Sequence, residues 1–185
     1  MPALALYLFS LSGFQKDNRK LYAALVFSMA GDIFLMFSSK GQLFFIAGLS
    51  AFLVAHLIYV AFFLNIKKRR GINLQVIIPL LSYYIVFMYM LWDGLQGPLV
   101  VAVPIYALVL LMMAYTAIQA SKSLNRNDSI LLIAGALSFV FSDSLIGLNA
   151  FTSFDFGTPL GRLAIMSSYL IGQFFIIDKA TRLKP

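Results

Sequence analysis

Seven apolar runs divide this 185-residue chain, at roughly residues 2–14, 21–37, 43–66, 74–92, 98–118, 130–151 and 162–178. A helix that crosses the hydrocarbon core of a bilayer needs about 20 such residues, within a range of about 17–25. Six of the runs meet that length and the first is short. The runs are apolar on every face, without the alternation of a membrane barrel strand. Charged residues make up only 11% of the chain, against about 25% in a soluble domain. The sequence therefore predicts an all-α fold, a polytopic membrane helix bundle of about seven transmembrane helices. No linker is long enough to separate two domains, so residues 1–185 are expected to form one transmembrane helical domain.

A net charge of +7 could point to nucleic acid, but its distribution points to a membrane instead. Lys16, Arg19 and Lys20 follow the first run, Lys67–Arg70 the third, Lys122 and Arg126 the fifth, and Lys179, Arg182 and Lys184 the seventh. In a seven-helix bundle these twelve charges fall on one side, and only Lys40 and Arg162 on the other. The positive-inside rule then places the C-terminus and the Lys67–Arg70 loop in the cytoplasm, for a protein of the cell (inner) membrane. Nucleic acid is excluded as a partner on that reading. The chain has no cysteine and a single histidine, His56, which rules out disulfides, thiolate nucleophiles and histidine-rich metal cages.

Within this apolar frame two carboxylates stand out. Asp32 lies in the second run and Asp143 in the sixth. Acids inside a membrane segment are costly, about 2.5–3.5 kcal/mol on insertion scales, and mark functional sites. Counted from the cytoplasmic ends of their runs at 1.5 Å per residue, they lie about 16 and 20 Å deep. Two helices thus carry an acid at one level, near or just past the midplane. Small or polar residues adjoin them, Ser28 and Gly31 beside Asp32, and Ser138, Ser142, Ser144 and Gly147 around Asp143. His56 in run three shares a helix face with Phe52, Tyr59 and Phe63, and Gln173 in run seven follows Tyr169 by one turn. Packing and interhelical hydrogen bonds would account for His56 and Gln173 as well as function does. One internal echo aligns Ile46-Ala47-Gly48, Phe52 and His56 with Ile133-Ala134-Gly135, Phe139 and Asp143. An inverted repeat and chance similarity between apolar helices both explain it.

A carboxylate pair offers an acid and a base at once, the chemistry of proton donation plus water activation or of proton-coupled transport. A proton-coupled carrier of small molecules or lipids using the same aspartates is therefore the alternative to an enzyme. Carriers of that type build their sites from broken helices. Here Pro79 and Pro104 fall in runs four and five, away from both acids. A scaffold or sensor without chemistry is a third reading. No G-x-S-x-G, H-E-x-x-H or P-loop motif competes with the pair.

Four blocks carry a resemblance that spans nearly the whole chain. They are Ser28-Met29-Ala30-Gly31-Asp32-Ile33-Phe34-Leu35, Gly48-Leu49-Ser50-Ala51-Phe52-Leu53-Val54-Ala55-His56-Leu57-Ile58-Tyr59, Gly135-Ala136-Leu137-Ser138-Phe139-Val140-Phe141-Ser142-Asp143 and Tyr169-Leu170-Ile171-Gly172-Gln173-Phe174-Phe175-Ile176. In order and spacing the chain resembles the YhhN-like lysoplasmalogenases. The resemblance implies a membrane hydrolase that cleaves the vinyl ether bond of lysoplasmalogens, giving a fatty aldehyde and a glycerophospho-base. It implies Asp32 and Asp143 as the catalytic pair, with His56, Tyr59, Ser28, Ser142, Tyr169 and Gln173 in substrate-binding or supporting places. No metal or organic cofactor is expected, and the partner is a lysophospholipid drawn from the bilayer. The family pattern has eight helices. Met1-Pro2 resembles the start of its second, so the chain reads either as lacking one upstream helix of the family pattern or as a seven-helix variant of it.

Overall fold

The computed structural model describes residues 2–12, 18–66 and 71–183. Among these residues the chain folds into seven α-helices: α1 (Pro2–Ser12), α2 (Arg19–Met36), α3 (Gln42–Leu64), α4 (Leu74–Leu91), α5 (Leu99–Ser121), α6 (Arg126–Phe151) and α7 (Pro159–Ala180). Short 3-10 turns at Ser38–Lys40 and Trp92–Gly94 follow α2 and α4. The architecture is the expected polytopic helical membrane bundle. The helices α3 to α7 are long and apolar enough to cross a bilayer. The eleven-residue α1 is shorter than a span, and α2 carries Arg19, Lys20 and Asp32 within eighteen residues. The basic loop at Lys67–Arg70 lies outside the described residues, as do Lys16 and Lys184.

Two helix ends reach beyond the apolar runs because polar residues cap them. Asn125 accepts a hydrogen bond from the Asp128 amide, so α6 begins at Arg126, four residues ahead of its apolar run. Thr158 accepts from the Gly161 amide, and Pro159 occupies the first helical position of α7, where its missing N–H costs nothing. Both are residues that favour helix N-termini over helix interiors.

Two antiparallel hairpins, α2–α3 and α6–α7, form the sides of the bundle, with α5 packed against α3 and α6 between them. Each hairpin closes on a pair of glycines. A Cβ added at Gly48 would lie 3.3 Å from the Gly31 carbonyl oxygen, and one at Gly172 would lie 3.0 Å from that of Gly135. Without those side chains the backbones approach closely, as small residues allow in membranes. The helix α4 stands at the edge, burying only Met88 and Leu91. Its Ile78, Leu81, Ile85, Val86 and Tyr89 are exposed, an apolar face suited to lipid.

The two ends of the bundle differ in charge. At one end Lys20 donates to the Ala61 carbonyl, Gln119 to that of Gly71, and Lys179 and Arg182 pair with Asp128. These contacts gather the start of α2 and α6 and the finish of α3, α5 and α7. They form the basic end that the charge pattern anticipates. The other end holds the turns around Ser38, Asp93 and Asp155.

Candidate active site

Asp32 sits next to the Gly31–Gly48 crossing, in the last third of α2. Asp143 lies two turns past Gly135 on α6. The bundle brings these acids to one cleft of about 960 Å³, lined also by Phe45, Phe52, Ser142, Arg162 and Tyr169.

Each acid holds a tyrosine hydroxyl. Tyr169 of α7 donates to Asp32 Oδ2 over 3.2 Å, and Tyr106 of α5 donates to Asp143 Oδ2. The Asp143 side chain is only 8% exposed, and His56 Nε2 lies 3.6 Å from its Oδ2. His56 Nε2 is also 3.1 Å from the Tyr106 oxygen. A tyrosine has a single hydroxyl proton. With that proton given to Asp143, the His56–Tyr106 bond requires a proton on Nε2. His56 is fully buried and its Nδ1 has no hydrogen-bond partner among the described residues. The ring is held edge-to-face against Phe139 at 4.9 Å and roughly parallel to Phe52 at 6.5 Å. Tyr169 packs edge-on to both phenylalanines. One aromatic wall thus backs both acids.

A second buried network lies one turn toward the basic end. Tyr59 donates to Gln173 Oε1 over 2.7 Å, and Gln173 Nε2 donates to Ser28 Oγ over 3.0 Å. All three side chains are fully buried, and none lines the cleft. Ser28 precedes Asp32 by one turn and Gln173 follows Tyr169 by one turn, so this network ties α2, α3 and α7 together directly beneath the Asp32–Tyr169 bond. Ser142 lines the cleft but spends its hydroxyl proton on the Ile165 carbonyl, 3.0 Å away. It therefore pins α6 to α7. Of the residues singled out in the sequence, Asp32, Asp143, Ser142 and Tyr169 line the cleft. His56 stands directly behind Asp143, and Ser28, Tyr59 and Gln173 form the layer below.

Tyr106 and Arg162 did not emerge from the sequence as site residues. A signal for Tyr106 existed. Membrane tyrosines concentrate at the interfaces, whereas Tyr106 falls eight residues into a 23-residue apolar helix.

A narrow, almost wholly apolar slot adjoins the cleft. Tyr84, Phe87, Val103, Leu110 and Val140 line it, and it shares Asp143, Phe45 and Phe52 with the cleft. Asp143 stands at the junction of a polar opening and an apolar recess. Such a junction suits an amphiphile whose reactive bond lies between its chain and its head group.

Comparison with known proteins identifies relatives along nearly the whole chain. The model of the YhhN family matches residues 1–180. Lysoplasmalogenase TMEM86A of Bos taurus is 30% identical over 187 residues, covering 95% of this chain and 73% of its own length. Lysoplasmalogenase TMEM86B of Sus scrofa is 30% identical over 190 residues, covering 100% and 76%, and that of Mus musculus is 30% identical over 179 residues, covering 97% and 71%. No solved structure matches the chain.

Proposed function

The chain belongs to the YhhN family, and from that premise we propose that it is a membrane-embedded lysoplasmalogenase. It hydrolyses the vinyl ether of a lysophospholipid to a fatty aldehyde and a glycerophospho-base, with Asp32 and Asp143 as its acid/base pair. The observation that carries this reading is the shared cleft, where two tyrosine-bonded aspartates meet beside an apolar slot. The lysoplasmalogenase names of the relatives support the choice of substrate.

Vinyl ethers hydrolyse by slow protonation of the β-carbon. One carboxylic acid of the pair gives its proton to that carbon, and the C=C electrons form the new C–H bond. The α-carbon and ether oxygen then share the charge of an oxocarbenium ion, which the partner carboxylate stabilises. That carboxylate next takes a proton from water as the water oxygen bonds to the α-carbon, giving a hemiacetal. Collapse of the hemiacetal moves its hydroxyl proton to the glyceryl oxygen and releases the aldehyde. At the end the pair again holds one proton, on the other member. The two acids therefore exchange roles from one turnover to the next, and the exchange needs no outside base. Tyr106 and Tyr169 orient the carboxylates, and His56 and the Tyr59–Gln173–Ser28 layer hold those tyrosines and helices in place. The whole chain acts as one membrane domain of the cell membrane, with its C-terminus in the cytoplasm.

The test is aldehyde release from a lysoplasmalogen by purified protein in detergent, with wild type beside Asp32→Asn and Asp143→Asn. Release by wild type and its loss in both monodisperse variants is expected. Activity retained in either variant removes that acid from the mechanism. No release by monodisperse wild type rejects the hydrolase in favour of the proton-coupled carrier.

A further inference from the structure

Arg162 is the one arginine at the end of the bundle opposite the basic loops. It lies in the first turn of α7, exposed, and makes no ion pair among the described residues. Basic residues are disfavoured on that side by the positive-inside rule, and no carboxylate among the described residues forms an ion pair with this one. Its position is nevertheless specific, because it lines the cleft that contains Asp32 and Asp143.

The depth of Arg162 follows from the register of α6 on α7. Gly135 faces Gly172, and Ser142 donates to Ile165. In that antiparallel register Asp143 is level with Ala164 and Arg162 with Leu145. Arg162 therefore stands two residues, about 3 Å, farther toward the open end than Asp143. Ser38, Ser39, Gln42 and Asn149 complete the polar rim of the same opening. Asn149 accepts from the Phe156 amide through Oδ1, which leaves its NH2 group as the donor it offers a ligand. Sideways from Asp143, toward α4 and α5 and away from α7, lies the apolar slot. From slot to rim the order is thus apolar, acidic, cationic.

A lysoplasmalogen has the same order. Its alkenyl chain meets the vinyl ether oxygen on one terminal carbon of glycerol, and the phosphate is on the other. We infer that Arg162 forms the phosphate subsite of the lysolipid, with the alkenyl chain in the slot between α4 and α5 and the head group at the end of the bundle opposite the basic loops. A guanidinium suits a phosphodiester because it donates two parallel hydrogen bonds in a fixed plane, and the N-terminal end of α7 adds a favourable potential for an anion. A narrow slot lined by five helices, α2 to α6, also favours a lysolipid over a two-chain lipid. This inference rests on the hydrolase reading for its substrate but assigns a binding residue that the reading does not need.

The test compares two substrates with the same vinyl ether, 1-alkenyl-glycerophosphoethanolamine and 1-alkenyl-glycerol, on wild type, Arg162→Gln and Arg162→Lys. Binding of the saturated 1-alkyl-glycerophosphoethanolamine, which has no vinyl ether to cleave, is measured alongside. Arg162→Gln is expected to raise KM for the phospholipid by about tenfold or more, the size of a lost charge-assisted hydrogen bond, with kcat changed little. The preference for the phosphorylated over the phosphate-free substrate falls by the same factor, and Arg162→Lys restores part of it. Lys122→Gln, at the opposite end, leaves KM as it is. An unchanged preference and an unchanged Kd for the saturated analogue in monodisperse Arg162→Gln overturn the subsite, as does failure of wild type to bind the analogue. If wild type binds the analogue through Arg162 but cleaves neither vinyl ether, the subsite stands and the hydrolase reading fails.

Discussion

His56 and Asp143 meet across the bundle with Nε2 3.6 Å from Oδ2, and each stands eight residues after a glycine at a helix crossing, Gly48 and Gly135. The internal echo of the sequence therefore aligned two residues that face one another. Both reach the Tyr106 hydroxyl, which accepts from His56 and donates to Asp143. Removing that hydroxyl leaves His56 buried with neither ring nitrogen bonded to Tyr106, and frees a lone pair of Asp143. Tyr106→Phe is expected to lower kcat for aldehyde release by about 10- to 100-fold, the equivalent of a hydrogen bond to a charged group. KM should move much less, because the ring still fills its place. A KM effect without a kcat effect would show that Tyr106 serves binding and not the acid.

The network beneath Asp32 makes a separate prediction. Gln173 satisfies two buried hydroxyls at once, accepting from Tyr59 and donating to Ser28. Gln173→Leu keeps the volume and strands both. Each orphaned group costs about 1–3 kcal/mol, so thermal unfolding in detergent should shift clearly downward. Ser28→Ala should cost less, since Gln173 keeps its bond to Tyr59. Equal stability of wild type and Gln173→Leu would show that the network is not a structural tie between α2, α3 and α7.

The α6–α7 crossing is sensitive to volume. A side chain at Gly172 meets the Gly135 carbonyl and the Phe139 backbone at 3.0 Å, and backbone cannot turn aside as a flexible side chain can. Gly172→Leu should therefore cost about 1–3 kcal/mol or more by overpacking and should move Tyr169, three residues earlier on α7, away from Asp32. Lower thermal stability together with loss of activity is the expected result. A variant as stable and as active as wild type would mean that the two helices cross elsewhere.

Much of this architecture was legible before the fold. The bilayer imposes a span of about 20 apolar residues, so α3 to α7 were visible as runs. Asp32 and Asp143 were conspicuous because an acid in such a run is costly, although two unrelated buried acids, each hydrogen-bonded to a neighbouring helix, would also explain them. What stayed hidden depends on which helices touch. Ser28, Tyr59 and Gln173 could be marked as polar residues in apolar helices, but their mutual bonding follows from the packing of α2, α3 and α7, which no spacing along the chain encodes. Tyr106 was not singled out, although it lies well inside an apolar helix. Arg162 was read only as a topology charge, because its place on the cleft depends on the α6–α7 register. The helix ends moved for a local reason, since Asn125 and Thr158 cap α6 and α7 beyond the apolar stretch.

The orientation of the cleft can be read directly, because the chain contains no cysteine and any introduced thiol is the sole target for a maleimide. Ser39 lies on the rim of the cleft, and Lys122 follows α5 at the basic end. If the twelve basic residues face the cytoplasm, a membrane-impermeant maleimide added to intact cells labels Ser39→Cys and spares Lys122→Cys until the membrane is permeabilised. The reverse pattern would place the cleft in the cytoplasm and the C-terminus outside. Labelling of Ser39→Cys should also slow when the saturated lysophospholipid analogue fills the opening, because Ser39 shares the rim with Arg162. Protection that disappears in the Ser39→Cys/Arg162→Gln pair would tie the orientation of the cleft to the residue that holds the phosphate.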